Sequence, residues 1–328
     1  MILYAPQNIS KGYLKSIYID FYNSNYSSFD KNKISQSNNF QLTRENYLDW
    51  NNPSAITNSI ICLKNIDLFE KILNYLEQAI CKHIVLHFID FLSIEEIKTY
   101  INKLLDYNIQ SVIIICQYDE IYFSDEFGDL IMELKINKKL FVLNSPFEKN
   151  FEDTMFFTLK EKEYNYLKRK NEFVSNISLF SESQLHHTYF NRKLYIGPTG
   201  EIKNAPETEQ VFGYIQDIAE DELKEIISSP HFQKYWFVHK GLIDVCKECE
   251  FRHMCVDNRV PIERKSNEWY NSLECNYNPY IGKWEGEKGY LSLADCGVIS
   301  NEKGFIIDHE KVRKINSVIE QYSKKQDA

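Results

Sequence analysis

Between residues 83 and 143 the chain alternates short apolar runs with amphipathic stretches, and this alternation constrains the fold more than any other feature. Residues 83–89, 111–116 and 140–143 read as strands, rich in Ile, Val, Leu and Phe. Between the first two, Ser93-Ile-Glu-Glu96 is a capping box that opens a helix running to Tyr107. Residues 125–134 form the next helical stretch. Strands this uniformly apolar are buried on both faces, as in a parallel sheet with crossover helices. Short barrels and open doubly wound sheets share the pattern. Upstream, 60–63 is a short strand candidate, and Asp67 can cap a helix over 68–79 with Leu68, Ile72, Leu73 and Leu76 on one face. Residues 14–22 and 155–158 read as further strands, 23–39 as a polar loop and 161–170 as a charged helical connector.

Several function classes fall away early. The turns after the strands hold Asp90, Gln117-Tyr118-Asp119 and Asn144-Ser-Pro146, with no Gly-rich phosphate loop, so Rossmann or P-loop nucleotide binding is unsupported. A net charge of −9 argues against general binding to nucleic acid or an anionic membrane. The most apolar run, 84–97, contains Asp90, Glu95 and Glu96 and is too short to span a bilayer. The N-terminus shows no charged region followed by an apolar one, so the expectation is a cytoplasmic protein with reduced thiols.

The second half has a different character. Residues 189–204 read as a hairpin with Pro198 and Gly200 in its turn, 219–228 as a helix, and 309–322 as a C-terminal helix capped by Asp308. Between them lie Cys246, Cys249 and Cys255, spaced CxxCx5C, with Cys275 twenty residues further on. A CxxC turn brings two sulfurs to one side, and two more cysteines close a four-thiolate site. Such a site suits an iron–sulfur cluster or tetrahedral zinc. The bland alternative is buried free cysteines. Lys247, Arg252 and Arg259 place positive charge beside the cysteines, where it can offset thiolate charge or simply be solvated. His186 and His187, adjacent in a strand, point to opposite faces, so at most one can reach this site. Cys296 is the substitute ligand should one of the four be misassigned, and His253 reads as a neighbour of the site. The aromatic set Trp236, Phe237, Trp269, Tyr277, Tyr280 and Trp284 reads as packing around a small metal domain or as a peptide groove.

The four cysteines match in spacing and order the ligands of an auxiliary cluster in SPASM domains, which accompany radical SAM peptide maturases. The chain more closely resembles the SPASM-domain maturases of grasp-with-spasm systems. The resemblance is carried by 186–204 (HHTYFNRKLYIGPTGEIKN), 277–284 (YNPYIGKW) and 296–308 (CGVISNEKGFIID). It covers roughly 183–328 and is weak before that. It implies an α/β protein with a degenerate or partial (β/α) barrel-like domain over 1–170 and a cysteine-rich SPASM-like α+β domain over 171–328. It also implies one 4Fe–4S cluster on Cys246, Cys249, Cys255 and Cys275, a ribosomal precursor peptide as ligand, and an ATP-grasp ligase as partner.

The sequence departs from the family in two ways. The SAM-cleaving CxxxCxxC motif is absent. Cys62, Cys81 and Cys116, 19 and 35 residues apart, read as small buried hydrophobes, and SAM is not expected as a cofactor. Asn204 and Arg259 stand where the wider family often places further cluster cysteines. The functional expectation is therefore recognition and presentation of a peptide, with a zinc-stabilised binding module as the alternative. An enzyme using Asp90, Tyr118 and Asp119 at the strand ends is a third reading, against ordinary turn and capping roles.

Overall fold

The computed structural model describes residues 56–62, 66–151, 154–157, 172–173, 177–265, 268–272, 275–301 and 304–326. The strand expected at 14–22, the polar loop and the connector at 161–170 lie outside them. The protein is a mixed α/β structure that divides into two compact units. One takes Asp49–Arg169 with Tyr189–Trp236, and the other takes Lys170–Thr188 with Phe237–Ala328.

The first unit is built on β1 (Asn58–Ile61), α1 (Ile66–Gln78), β2 (His83–Phe88), α2 (Ile94–Leu105), β3 (Ser111–Gln117), α3 (Asp125–Glu133) and β4 (Asn137–Leu143). Short strands β5 (Lys149–Phe151) and β6 (Met155–Phe157) follow. β7 (Glu172–Phe173) and α4 (Ile177–Glu182) belong to the second unit. The chain then returns to the first with β8 (Lys193–Ile196), β9 (Ile202–Lys203) and α5 (Glu220–Ser228). The eight strands form one sheet in the order β5-β6-β4-β3-β2-β1-β8-β9. All neighbours from β6 to β8 are parallel, and the edge strands β5 and β9 are antiparallel.

β1 to β4 lie side by side in chain order, so the sheet is not doubly wound. Crossovers of one hand then put their helices on one face. The packing agrees. Ile84, Leu86, Val112, Ile114, Leu140 and Val142 join the buried residues of α1, α2 and α3 in one cluster. The alternate positions Ile60, Val85, Ile115, Phe141, Leu143 and Tyr195 form a second cluster with no member from a described helix. Cys81 and Cys116 lie in the first cluster and Cys62 in the second, each at most 2% exposed. Burial pushes the Cys62 and Cys81 thiols up to about 12, so all three behave as small apolar side chains.

The capping box at Ser93 is formed: its Oγ accepts the Glu96 amide at 3.3 Å, and Glu96 Oε2 accepts the Ser93 amide at 2.8 Å. Ser93→Ala removes one half of this exchange and is expected to lower stability by about 1 kcal/mol, read as a fall in the denaturant midpoint at unchanged slope. The hairpin expected over 189–204 is present as β8–β9, pairing Tyr195 with Lys203 and Ile196 with Ile202. Gly200 turns it at φ +89°, where a Cβ would also strike the Gln216 side chain. β8 runs parallel to β1, so this hairpin completes the sheet of the first unit.

The second unit is made of two-stranded ribbons. β7 pairs with β10 (Cys255–Val256), β11 (Pro261–Lys265) with β12 (Glu268–Asn271), β13 (Tyr277–Asn278) with β14 (Lys283–Trp284), and β15 (Val298–Asn301) with β16 (Gly304–Ile307). Helix α6 (His309–Gln326) closes the chain, with Asp308 Oδ1 accepting the Glu310 and Lys311 amides as expected of its cap. Val312 of α6 joins Val245, Leu293, Val298 and Phe305 in a small buried cluster. Among the described residues no helix is long and apolar enough to cross a membrane.

Candidate metal centre

The cysteine segment is shaped by tight turns within the second unit. A 3-10 turn over Cys246–Glu248 is closed by the Cys249 amide on the Cys246 carbonyl at 3.0 Å, which swings the two CxxC sulfurs around one bend. The preceding Val245 takes φ +65°, a left-handed conformation that costs a β-branched residue energy. Cys255 sits on β10, with its carbonyl held by the Thr188 hydroxyl at 2.7 Å. Cys275 lies just ahead of β13.

These turns bring Cys246, Cys249, Cys255 and Cys275 to one partly open cavity. Lys240, Arg252, Arg259, Phe251 and Tyr277 also line it. Phe251 packs edge-on against Tyr277 at 4.9 Å, and Trp284 backs Tyr277 at 4.8 Å. The Tyr277 hydroxyl donates to the Glu250 carboxylate, which fixes the ring against the cavity. Among the described residues no three His, Cys, Asp or Glu side chains converge closely enough to hold a single metal ion.

Beneath the sulfurs lies a buried ionic group. Asp257 is fully buried, and its Oδ2 accepts from Lys240 Nζ at 2.6 Å and Arg259 Nη2 at 2.6 Å. Its Oδ1 takes the Arg259 Nε at 2.9 Å and the Arg259 backbone amide at 3.0 Å. Burial opposes its charge, but Lys240 and Arg259 outweigh burial and hold the carboxyl well below the usual range. Arg259 Nη2 also reaches Cys246 Sγ at 3.9 Å, and Asn271 Nδ2 donates to the same sulfur at 3.6 Å. Burial pushes the Cys246 thiol up, while Lys240 and Arg259 pull it back. Burial pushes Cys249 and Cys255 up to about 12. The metal-free thiols of Cys246, Cys249 and Cys255 are therefore neutral, and a metal that takes them as thiolates must displace their protons. Four sulfurs around one cavity, with cationic and amide donors aimed at one of them, fit a group bound through thiolates.

The remaining sequence candidates are dispersed. Cys296 is fully buried and accepts Asn278 Nδ2 at 3.3 Å, away from the cavity lining. His187 is fully buried, and the His186 ring lies tilted against Phe237 at 5.2 Å; neither lines the cavity. His253 places Nδ1 within 3.0 Å of Ser183 Oγ and Gln184 Nε2, and burial, with Arg252 and His239 nearby, pushes its pKa down to about 4. Lys247 pairs with Asp244 at 3.1 Å, whereas Arg252 binds the Cys249 carbonyl at 3.1 Å. Asn204 donates from Nδ2 to the Phe190 and Lys193 carbonyls, each at 2.9 Å, and so ties off the hairpin. The aromatic set splits: Trp236 belongs to the core of the first unit, and Trp269, Tyr277, Tyr280 and Trp284 to the second unit. At the strand ends Asp119 caps a 3-10 turn through the Ile121 amide, Tyr118 packs edge-on against Phe147, and Asp90 is exposed.

Sequence reasoning missed Lys240, Asp257 and Asn271. Asp257 and Arg259 were readable as a charged pair two residues beyond Cys255, but Lys240 and Asn271 reach the site only through the fold. Comparison of the chain with family models, curated proteins and solved structures found no match.

Proposed function

We propose that the chain is a SPASM-like protein of ribosomal peptide maturation that holds one 4Fe–4S cluster and presents a precursor peptide to a partner ATP-grasp ligase. The observation that carries this reading is the meeting of Cys246, Cys249, Cys255 and Cys275 at one cavity, the four that the resemblance singles out among eight cysteines. A cluster with every iron held by protein sulfur supplies electron storage or rigidity when bound, and no open Lewis-acid position. The protein's own residues do the rest. Phe251 and Tyr277 wall the cavity, and Arg259 and Asn271 direct hydrogens at Cys246.

The winding of the first unit, with strands in chain order and helices on one face, supports reading it as a partial (β/α) barrel that has kept its architecture without the SAM-cleaving motif. For the peptide, the edge strand β5 pairs, among the described residues, with β6 alone, and its own Phe151 lies against Phe123 at 5.9 Å. An extended peptide can add there as a further strand, with aromatic rings to grip its side chains.

The test is metal and sulfide analysis with an absorption spectrum on protein isolated without oxygen. The expected result is about four iron and four sulfide per chain and a broad visible band, lost in Cys246→Ala. A colourless protein with about one zinc would replace the cluster by a structural staple and the function by that of a binding module.

A further inference from the structure

We propose that Arg259, fixed by Asp257 and Lys240, is a positioning residue that sets the reduction potential of the metal group through Cys246; this rests on the cluster reading above. Three observations carry it. First, the guanidinium is locked. Nε and Nη2 both bond the Asp257 carboxylate, whose Oδ1 also takes the Arg259 backbone amide, so the head cannot swing away from Cys246. Second, the guanidinium is buried. The side chains of Lys240, Arg259 and Asp257 are 2%, 9% and 0% exposed, so little water screens the charge that Arg259 holds beside Cys246. Third, the donors are selective. Arg259 Nη2 and Asn271 Nδ2 both address Cys246 Sγ, at 3.9 and 3.6 Å, while Cys249 takes a backbone hydrogen bond from Phe251.

The consequence has a sign. Reduction adds an electron to a group that is already negative. A fixed cation and N–H···S bonds stabilise the more negative state and raise the potential. Removing Arg259 leaves Asp257 paired with Lys240, so the variant is not left with an orphaned carboxylate.

The experiment compares the full chain with Arg259→Met, Arg259→Lys and Lys247→Ala, each loaded with ferrous iron and sulfide without oxygen. Bound iron, far-UV circular dichroism and the midpoint of a redox titration are measured on each. Arg259→Met is expected to keep its fold and lose about tenfold in the ratio of reduced to oxidised cluster at the wild-type midpoint, a shift of about 59 mV for one electron. Arg259→Lys, which keeps the charge but not the fork, recovers part of the loss. Lys247→Ala removes a cation that is 39% exposed and turned to Asp244, and stays within about twofold. Equal midpoints in wild type and Arg259→Met overturn the inference and leave the cluster reading intact. Should Arg259→Met fail to retain iron, Arg259→Lys decides, and a wild-type midpoint there overturns it. A wild-type chain that takes up zinc but neither iron nor sulfide overturns the cluster reading and this inference with it.

Discussion

Asp257→Asn is expected to destabilise the cysteine-rich unit by about 3–5 kcal/mol, the range for breaking a buried ion pair by removing one partner. The carboxylate is the common partner of two buried cations, at 2.6 Å from each. Asn keeps the shape and removes the charge. It leaves Lys240 and Arg259 facing each other without an anion between them, and its amide group presents donors where the Lys240 ammonium also donates. The loss is therefore the cost of uncompensated buried charge, not of one hydrogen bond, which alone is worth about 1 kcal/mol. Denaturant unfolding of the metal-loaded protein, followed by circular dichroism, reads it directly. The double variant Lys240→Met with Asp257→Asn removes one stranded cation, so it should lose less than Asp257→Asn alone, a non-additivity expected of groups in one network. A loss below about 1 kcal/mol for Asp257→Asn would show that water reaches the cations, and the buried-charge argument would fail.

How much of this was legible depended on the range of the interaction. Local signals were faithful: Ser93 and Asp308 cap the helices they precede, and the apolar runs at 83–89 and 111–116 are β2 and β3. Cap geometry and strand burial are decided within a few residues, and the sequence carries them whole. The winding of the sheet was not legible, because apolar strands buried on both faces read the same in any order. Nor was the place of β8, which comes back to β1 after more than a hundred residues to pair Tyr195 with Ile60. The four cysteines were legible as a set because they fall within thirty residues of one another, and the fold places them along one cavity. The ionic group beneath them was not: Lys240 and Asp257 stand 17 residues apart with no motif between them. Asn204 and Arg259, readable only as departures from a pattern, turn out to have work of their own, one tying a hairpin and the other binding Asp257 and Cys246.

Removing the metal is expected to have the larger effect, because the described part of the second unit is thinly built. Its described sheets are two-stranded ribbons, which are marginal alone in water, and its hydrophobic cluster has five buried members. Where folding and metal binding are coupled, the binding free energy is folding free energy and reaches about 10 kcal/mol or more. That is comparable to the whole stability of an ordinary domain. Without metal, Cys249 and Cys255 are protonated, and the turns lose the ion that would tie their sulfurs together. Chelation under reducing conditions should therefore release the amides of β10, β13 and the Cys246–Cys249 turn to rapid hydrogen exchange. The amides of β2 and β3 should stay protected, since their unit has a separate core drawn from four helices and the sheet. Re-adding iron and sulfide should restore protection in the first set only. Protection at β10 and β13 that survives chelation would mean that the ribbons and the Lys240–Asp257–Arg259 group hold the turns unaided. The metal would then act on a preformed site, and its role would be electronic and not structural.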